Sequence, residues 1–212
     1  MNVGALGPID ATGVLMNRTS KCASSVATLL IVLFAGCARS ANREVAQGFV
    51  EQFEKVTAKE RESKDLEKRA DEYNKELEKA FQEKNRVKQA KAFGVWVTQY
   101  RSLVSEARSN LDTQSGLVDG LVATSAKFTG DANQYARETA DSLREYVEAE
   151  KNEIEVGEQV LAEIESYVDR PASVDPKRLE ELNKQEEALD SKSKAAFQRA
   201  MDAMARLRTV TL

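Results

Sequence analysis

The densest set of side chains that could do chemistry is a run of glutamates over residues 145–165, in which Lys151 is the one basic residue. Paired carboxylates can bind Ca²⁺ or Mg²⁺, and they can act as general acid and base. The run has no Asp-rich EF-hand loop, and the chain has no His to complete a Glu-x-x-His pair of ligands. We therefore expect this acidic face to be solvated, or to pack beside the basic residues 84–101 and select the helix register. Glu150 differs, because its heptad position points inward, where a carboxylate needs a partner or a raised pKa.

The basic stretch over residues 84–101 is the second candidate site. It contains no acidic residue, and aromatic side chains are interleaved with its bases. One interpretation is a site for an anionic surface, such as lipid headgroups, phosphate-bearing polymers or peptidoglycan carboxylates. The residues of that site would be Lys84, Arg86, Lys88, Lys91, Trp96 and Arg101. The other interpretation, which the helical spacing of Trp96, Tyr100 and Leu103 favours, places the aromatic residues in the core and leaves the bases solvated.

The composition of the 212-residue chain argues against several classes of protein. It has no His, which removes Ser-His-Asp and Cys-His catalysis and imidazole metal ligands. Two Cys cannot form a zinc finger or a disulfide-dense scaffold, and 31 basic against 35 acidic residues argue against a dedicated nucleic-acid binder. We predict that the protein is not an enzyme, and we predict no catalytic residue, metal site, cofactor or nucleic-acid partner.

The amino-terminal segment differs in composition from the rest of the chain. Residues 22–36 carry no charge and include an apolar run, which follows the basic residues Arg18 and Lys21. A basic region, a short apolar run and small residues at its end are typical of a secretory signal, and the run is shorter than the ~20 residues of a membrane span. We predict that residues 1–36 are a signal peptide. Since residues 1–15 add no element of such a signal, we also predict that translation starts at Met16.

The end of this segment, Leu33-Phe34-Ala35-Gly36-Cys37, resembles the lipobox of bacterial lipoproteins, in which small residues precede a cysteine. The resemblance implies that Cys37 receives a diacylglyceryl thioether. It also implies that cleavage before Cys37 frees its amine for a further acyl chain such as palmitate, so that the protein meets a membrane through this anchor. In a Gram-negative host, Ala38 in place of Asp implies the outer membrane, facing the periplasm. The resemblance implies nothing about the fold of the chain after Cys37.

The chain after Cys37 is typical of long helices, because it has no Pro before Pro171 and strong helix formers dominate. Heptad columns and stop signals predict a helical stretch around 96–122 and helices over about 41–92, 131–169 and 176–209. Gly94 either turns the chain or lies inside a longer helix, since one Gly costs only about 1 kcal/mol there. Gly130 is a better break, and a capping box beginning at Asp131 follows it.

These elements predict an all-α fold, an elongated antiparallel bundle of three or four long helices with coiled-coil packing. The short linker before Pro176 makes the last two helices antiparallel neighbours. The apolar stripe of the first helix lapses over 57–65, so we predict a lipid-anchored amino terminus and helical stalk over 37–65 and the bundle over 66–212. The heptads are compatible with seams that close within one chain or between copies.

The function that fits these features best is structural or partner-binding, in a lipid-anchored coiled-coil protein of the bacterial cell envelope. Its partners would be the membrane, through Cys37, and a protein partner or a second copy, through the helical seams. The alternative is a binding module for anionic envelope polymer or lipid headgroups that uses residues 84–101. An enzyme is the least favoured class, because the chain has neither a glycine-rich phosphate loop nor a nucleophile elbow.

Overall fold

The computed structural model describes residues 24–82, 86–169 and 176–212. Over these residues the chain forms four helices, α1 (Ser24–Gln82), α2 (Arg86–Ser125), α3 (Asp131–Asp169) and α4 (Pro176–Thr211). The chain divides into two compact units, Met1–Cys37 and Ala38–Leu212, and the helical bundle is the second unit. Within the described ranges, no helix combines the length and apolar character that crossing a membrane requires.

The bundle is antiparallel, as predicted, and the bounds of α3 agree with the stop signals. Gly130 has a φ of 59°, the left-handed conformation that favours glycine, and α3 begins at the next residue. The Asn133 side chain donates a 2.9 Å hydrogen bond to the carbonyl of Ser125, which closes the turn between α2 and α3. Asn42 near the start of the bundle donates to the carbonyl of Thr129, so this turn lies beside α1.

The predicted heptad columns form the core. One apolar cluster contains inward-facing residues of all four helices, among them Phe49, Leu121, Leu143 and Leu207. The ring of Phe49 meets that of Phe128 edge-on, with centroids 5.5 Å apart. A second cluster lies closer to the connection between α1 and α2. It contains Leu77, Phe93, Trp96 and Leu161. The seams are therefore filled by helices of one chain.

The predicted end of the first helix and the predicted start of the second helix were wrong. α1 ends at Gln82 rather than near 92, and α2 begins at Arg86 and continues through Gly94 as helix. Gly94 stays helical because the nearby residues Phe93 and Trp96 bury their side chains in the second cluster. Packing of this kind outweighs the modest propensity penalty of a single glycine.

The predicted stalk also needs correction, because α1 belongs to the bundle well before residue 66. Phe49, Phe53 and Val56 are core residues. Over the stretch 57–65, where the apolar stripe lapses, polar contacts replace it. The side-chain amide of Asn110 on α2 donates to the carbonyl of Lys59 at 2.9 Å and to the hydroxyl of Ser63 at 2.8 Å. Pairing with α2 thus continues where apolar periodicity fails.

Candidate functional site

A cavity of about 160 Å³ lies between the four helices, where the two apolar clusters meet. Its polar lining includes Ser63, Tyr100 and four carboxylates on three helices: Glu67 of α1, Glu150 and Glu153 of α3, and Glu186 of α4. Its apolar lining includes Leu66, Leu103 and Ile154. The arrangement is a group of acids held against hydrocarbon in the middle of the bundle.

The heptad positions of small and charged residues create this cavity. Glu150 and Gly157 occupy the same inward column of α3, so a carboxylate and then a residue without a side chain replace two core residues. Ala70 of α1 and Ala107 of α2 face them with short side chains. A Cβ built on Gly157 would meet no atom within 4 Å, which shows that the space beside it is open.

Burial raises the pKa of all four carboxyls. The pKa of Glu150 is about 7, first because of desolvation and then because of neighbouring acids, against a hydrogen bond from the Ser193 hydroxyl that lowers it. The pKa of Glu153 is about 8, again mainly through desolvation and then through the charge of Glu150. Burial also raises the pKa of Glu67 and of Glu186. The expectation for Glu150 from its inward position is confirmed.

The lysines near the four cavity glutamates form ion pairs with other acids. Lys194 lies 2.7 Å from a carboxylate oxygen of Asp190, and Lys64 lies 2.7 Å from one of Glu60. Within the described ranges, the four cavity glutamates form no ion pair of their own. Their charge is therefore relieved chiefly by taking up protons.

The chemistry open to this cavity is proton exchange near neutral pH. Two carboxyls with a pKa of about 7 and about 8 change charge in that range, although the chain has no His. Among the described residues, no group of three or more Asp, Glu or Cys side chains has the geometry to hold a metal ion. Heptad reasoning identified Glu150, but it did not connect this residue to Glu67, Glu153 or Glu186.

Outside the cavity, the acids of α3 pair with arginines of both neighbouring helices. Arg101 and Arg108 of α2 lie 2.6 and 2.9 Å from Glu165 and Glu158. On the other side, Arg199 and Arg206 of α4 pair with two further acids of α3, Glu145 and Glu138. Arg101 belongs to the basic stretch 84–101, so the expected match between the two stretches is seen at this residue.

The residues of the basic stretch are divided between the two sides of α2. Trp96 is only 3 % exposed and stacks on Tyr100, with ring centroids 4.9 Å apart. This placement agrees with the interpretation that the aromatic residues are core. Arg101 pairs with Glu165, and the side chains of Lys88, Lys91 and Arg101 are all exposed. Lys84 and the side chain of Arg86 lie outside the described residues.

Two exposed valines accompany those lysines. The heptad pattern extends the apolar column of the first helix to Val87, which its exposure contradicts, and no sequence pattern singles out Val95. Val87 is 80 % exposed and Val95 is 50 % exposed. We call Val87, Lys88, Lys91 and Val95 the outer face of α2. A shallow cleft beside it is lined by Glu76 of α1 together with Lys88, Lys91 and Val95.

The proposed lipidation residue lies in α1, at the last position of the first compact unit. The side chain of Cys37 and residues 1–23 of the predicted signal lie outside the described part of the chain.

No protein family, curated protein or solved structure matches this chain.

Proposed function

We propose that the protein is a lipid-anchored component of the bacterial cell envelope, tethered through Cys37, whose helical bundle has a structural or partner-binding role. The observation that carries the proposal is the coincidence of two boundaries. The lipobox resemblance implies cleavage before Cys37, and the compact bundle begins at the next residue, Ala38. Cleavage there would release the bundle intact and leave one acylated residue in front of it.

The bundle is suited to such a role because its core is complete within one chain. The buried residues whose side chains the structure describes run from Asn42 to Thr211. Helices of about 40 residues at 1.5 Å per residue would hold a surface at one end about 60 Å from the other.

Mass spectrometry of the protein from the membranes of a bacterial host tests the anchor. We expect the mature chain to begin at Cys37 with acyl chains on that residue. Cys37→Ser should accumulate as an uncleaved precursor, whose first residue should be Met16. The matched control is Cys22→Ser, which changes the other cysteine and should be processed normally. An unmodified Cys37, or normal cleavage of Cys37→Ser, would contradict the anchor.

The oligomeric state tests how the bundle carries out this role. We expect the chain without residues 1–36 and with Cys37→Ser to have the mass of a single copy by light scattering, because its core is already filled. A stable dimer or larger assembly would point instead to self-association through the outer surfaces of the bundle. The assembly, rather than the single chain, would then carry out the structural role.

A further inference from the structure

We propose that the outer face of α2, formed by Val87, Lys88, Lys91 and Val95, binds an anionic phospholipid surface. This inference goes beyond the proposed function, since it concerns a contact of the bundle itself and does not depend on lipid at Cys37. It also revises the sequence-based site, because Trp96 and Arg101 are excluded from it and two valines are added.

The first observation is that the outer face is both apolar and exposed. Of the large hydrophobic residues whose side chains the structure describes, four are exposed, and two of them are Val87 and Val95. At 100° per residue, the four residues of the face fall within about 100° of the helix circumference. Phe93 and Trp96 are buried in the second cluster, and Trp96 also lines the cleft beside Lys88, Lys91 and Val95. One side of the helix thus packs in the bundle, and the other presents apolar groups to the exterior.

The second observation is the charge around the valines. The segment 84–101 contains no acid, and Lys88 and Lys91 flank Val87 and Val95 on the exposed side. Glu76, an acid on the neighbouring helix α1, lines the same cleft. Basic residues near an anionic leaflet each strengthen binding about fivefold, and the effect is screened by salt.

The combination favours a membrane over a soluble anionic polymer. Valine side chains at i and i+8 between lysines suit a helix that lies in the interface, with apolar groups in the boundary between headgroups and acyl chains and ammonium groups at the phosphates. A polysaccharide or peptide carboxylate would engage Lys88 and Lys91 but would leave the valines in water. The occupant inferred here is therefore a bilayer with acidic headgroups.

Vesicle co-sedimentation tests the inference, using the chain without residues 1–36 and with Cys37→Ser, which retains the complete described core. At millimolar lipid, we expect binding to vesicles of phosphatidylcholine with 30 % phosphatidylglycerol and at least tenfold weaker binding to phosphatidylcholine alone. Lys88→Gln/Lys91→Gln should weaken binding to the anionic vesicles about tenfold or more. The matched control, Lys55→Gln/Lys192→Gln, removes two exposed lysines elsewhere and should bind like the parent.

Substitution of the valines distinguishes binding to a membrane from binding to a polymer. Val87→Ser/Val95→Ser should weaken vesicle binding severalfold without loss of thermal stability, because both side chains are exposed and serine and valine have similar helix propensities. Unchanged binding of this variant would overturn the assignment to a bilayer, as would equal binding to neutral and anionic vesicles. Pull-down with peptidoglycan that depends on the lysines and not on the valines would overturn it in favour of a polymer. Absence of vesicle binding by the parent chain, which carries Cys37→Ser and therefore has no lipid anchor, would overturn it outright.

Discussion

Arg108 and Glu158 form an ion pair across α2 and α3, with the guanidinium 2.9 Å from the carboxylate. Arg101, seven residues before Arg108, and Glu165, seven residues after Glu158, form an equivalent ion pair at 2.6 Å. One heptad the other way, Lys151 donates a 3.3 Å hydrogen bond to Ser115. Contacts that repeat every seven residues in opposite directions are those of two antiparallel helices in a coiled-coil register.

Charge exchange at this pair tests the register. Arg108→Glu should lower the free energy of unfolding by about 1 kcal/mol, because exposed ion pairs contribute about 0–1 kcal/mol and the variant places like charges together. The double variant Arg108→Glu/Glu158→Arg should recover most of that loss in urea denaturation. The same exchange at Lys68 and Asp65, an exposed pair within α1, should change stability by a few tenths of a kcal/mol at most. Failure of the double variant to recover would contradict the pairing.

The cavity carboxyls predict that the bundle loses stability as the pH rises. The pKa of Glu150 rises from 4.5 to about 7 and that of Glu153 from 4.5 to about 8, so the folded state holds protons that the unfolded state releases. Their favourable contribution is therefore complete below about pH 4.5 and is lost as the pH rises through 7 and 8. We expect the free energy of unfolding to fall by about 2 kcal/mol between pH 5 and pH 9. This figure is well below the full sum of both shifts, because the two groups interact and are partly solvated.

A pair of amide substitutions isolates this effect. Glu150→Gln/Glu153→Gln should unfold at a higher urea concentration than the parent at pH 8.5 and at a similar one at pH 5. Glu155→Gln, which neutralises an exposed acid of the same helix, should leave the pH dependence unchanged. A parent chain whose urea midpoint is the same at both pH values, or rises with pH, would show that these carboxyls are ionised at little cost.

The glycines of the helices are expected to differ in their response to alanine. At Gly94 and Gly157 a Cβ meets nothing within 4 Å, so Gly94→Ala and Gly157→Ala should each raise the free energy of unfolding by about 0.5–1 kcal/mol through helix propensity. Gly130→Ala should lower it by about 1 kcal/mol or more, because the φ of 59° is unfavourable for a residue with a Cβ. Thermal melts measure all three, and stabilisation by Gly130→Ala would contradict the turn between α2 and α3.

The amino-terminal part of α1 provides a test of the domain boundary. Phe49→Ala should destabilise the bundle by about 3–5 kcal/mol, because Phe49 is fully buried and packs against Phe128. If residues 37–65 were a free stalk, the same substitution would leave the melting temperature unchanged. Val87→Ala, at an 80 % exposed position, is the control and should change stability by less than about 0.5 kcal/mol.

Much of the fold follows from local sequence. The bounds of α3 and the start of α4 agree with the stop signals, because Gly, Pro and capping residues act through their own backbone conformations. The heptad columns of α1, α3 and α4 largely match the observed core, because an amphipathic helix buries one stripe, but Val87, the last residue of a column predicted for the first helix, is exposed. The end of α1 was wrong, since the strong helix formers on both sides of residues 83–85 carry no local stop signal.

The inward position of Glu150 is likewise a property of the sequence, because it depends only on the phase of one helix. The tertiary structure decided which groups surround it, namely Glu67, Glu153 and Glu186 from three helices. It also decided that Trp96 is core while Val87 and Val95 are exposed, although all three lie in one apolar-rich stretch. The physical reason is that periodicity determines the direction of a side chain on its own helix, whereas burial, pKa and exposure depend on the rotation and register of the helices packed around it.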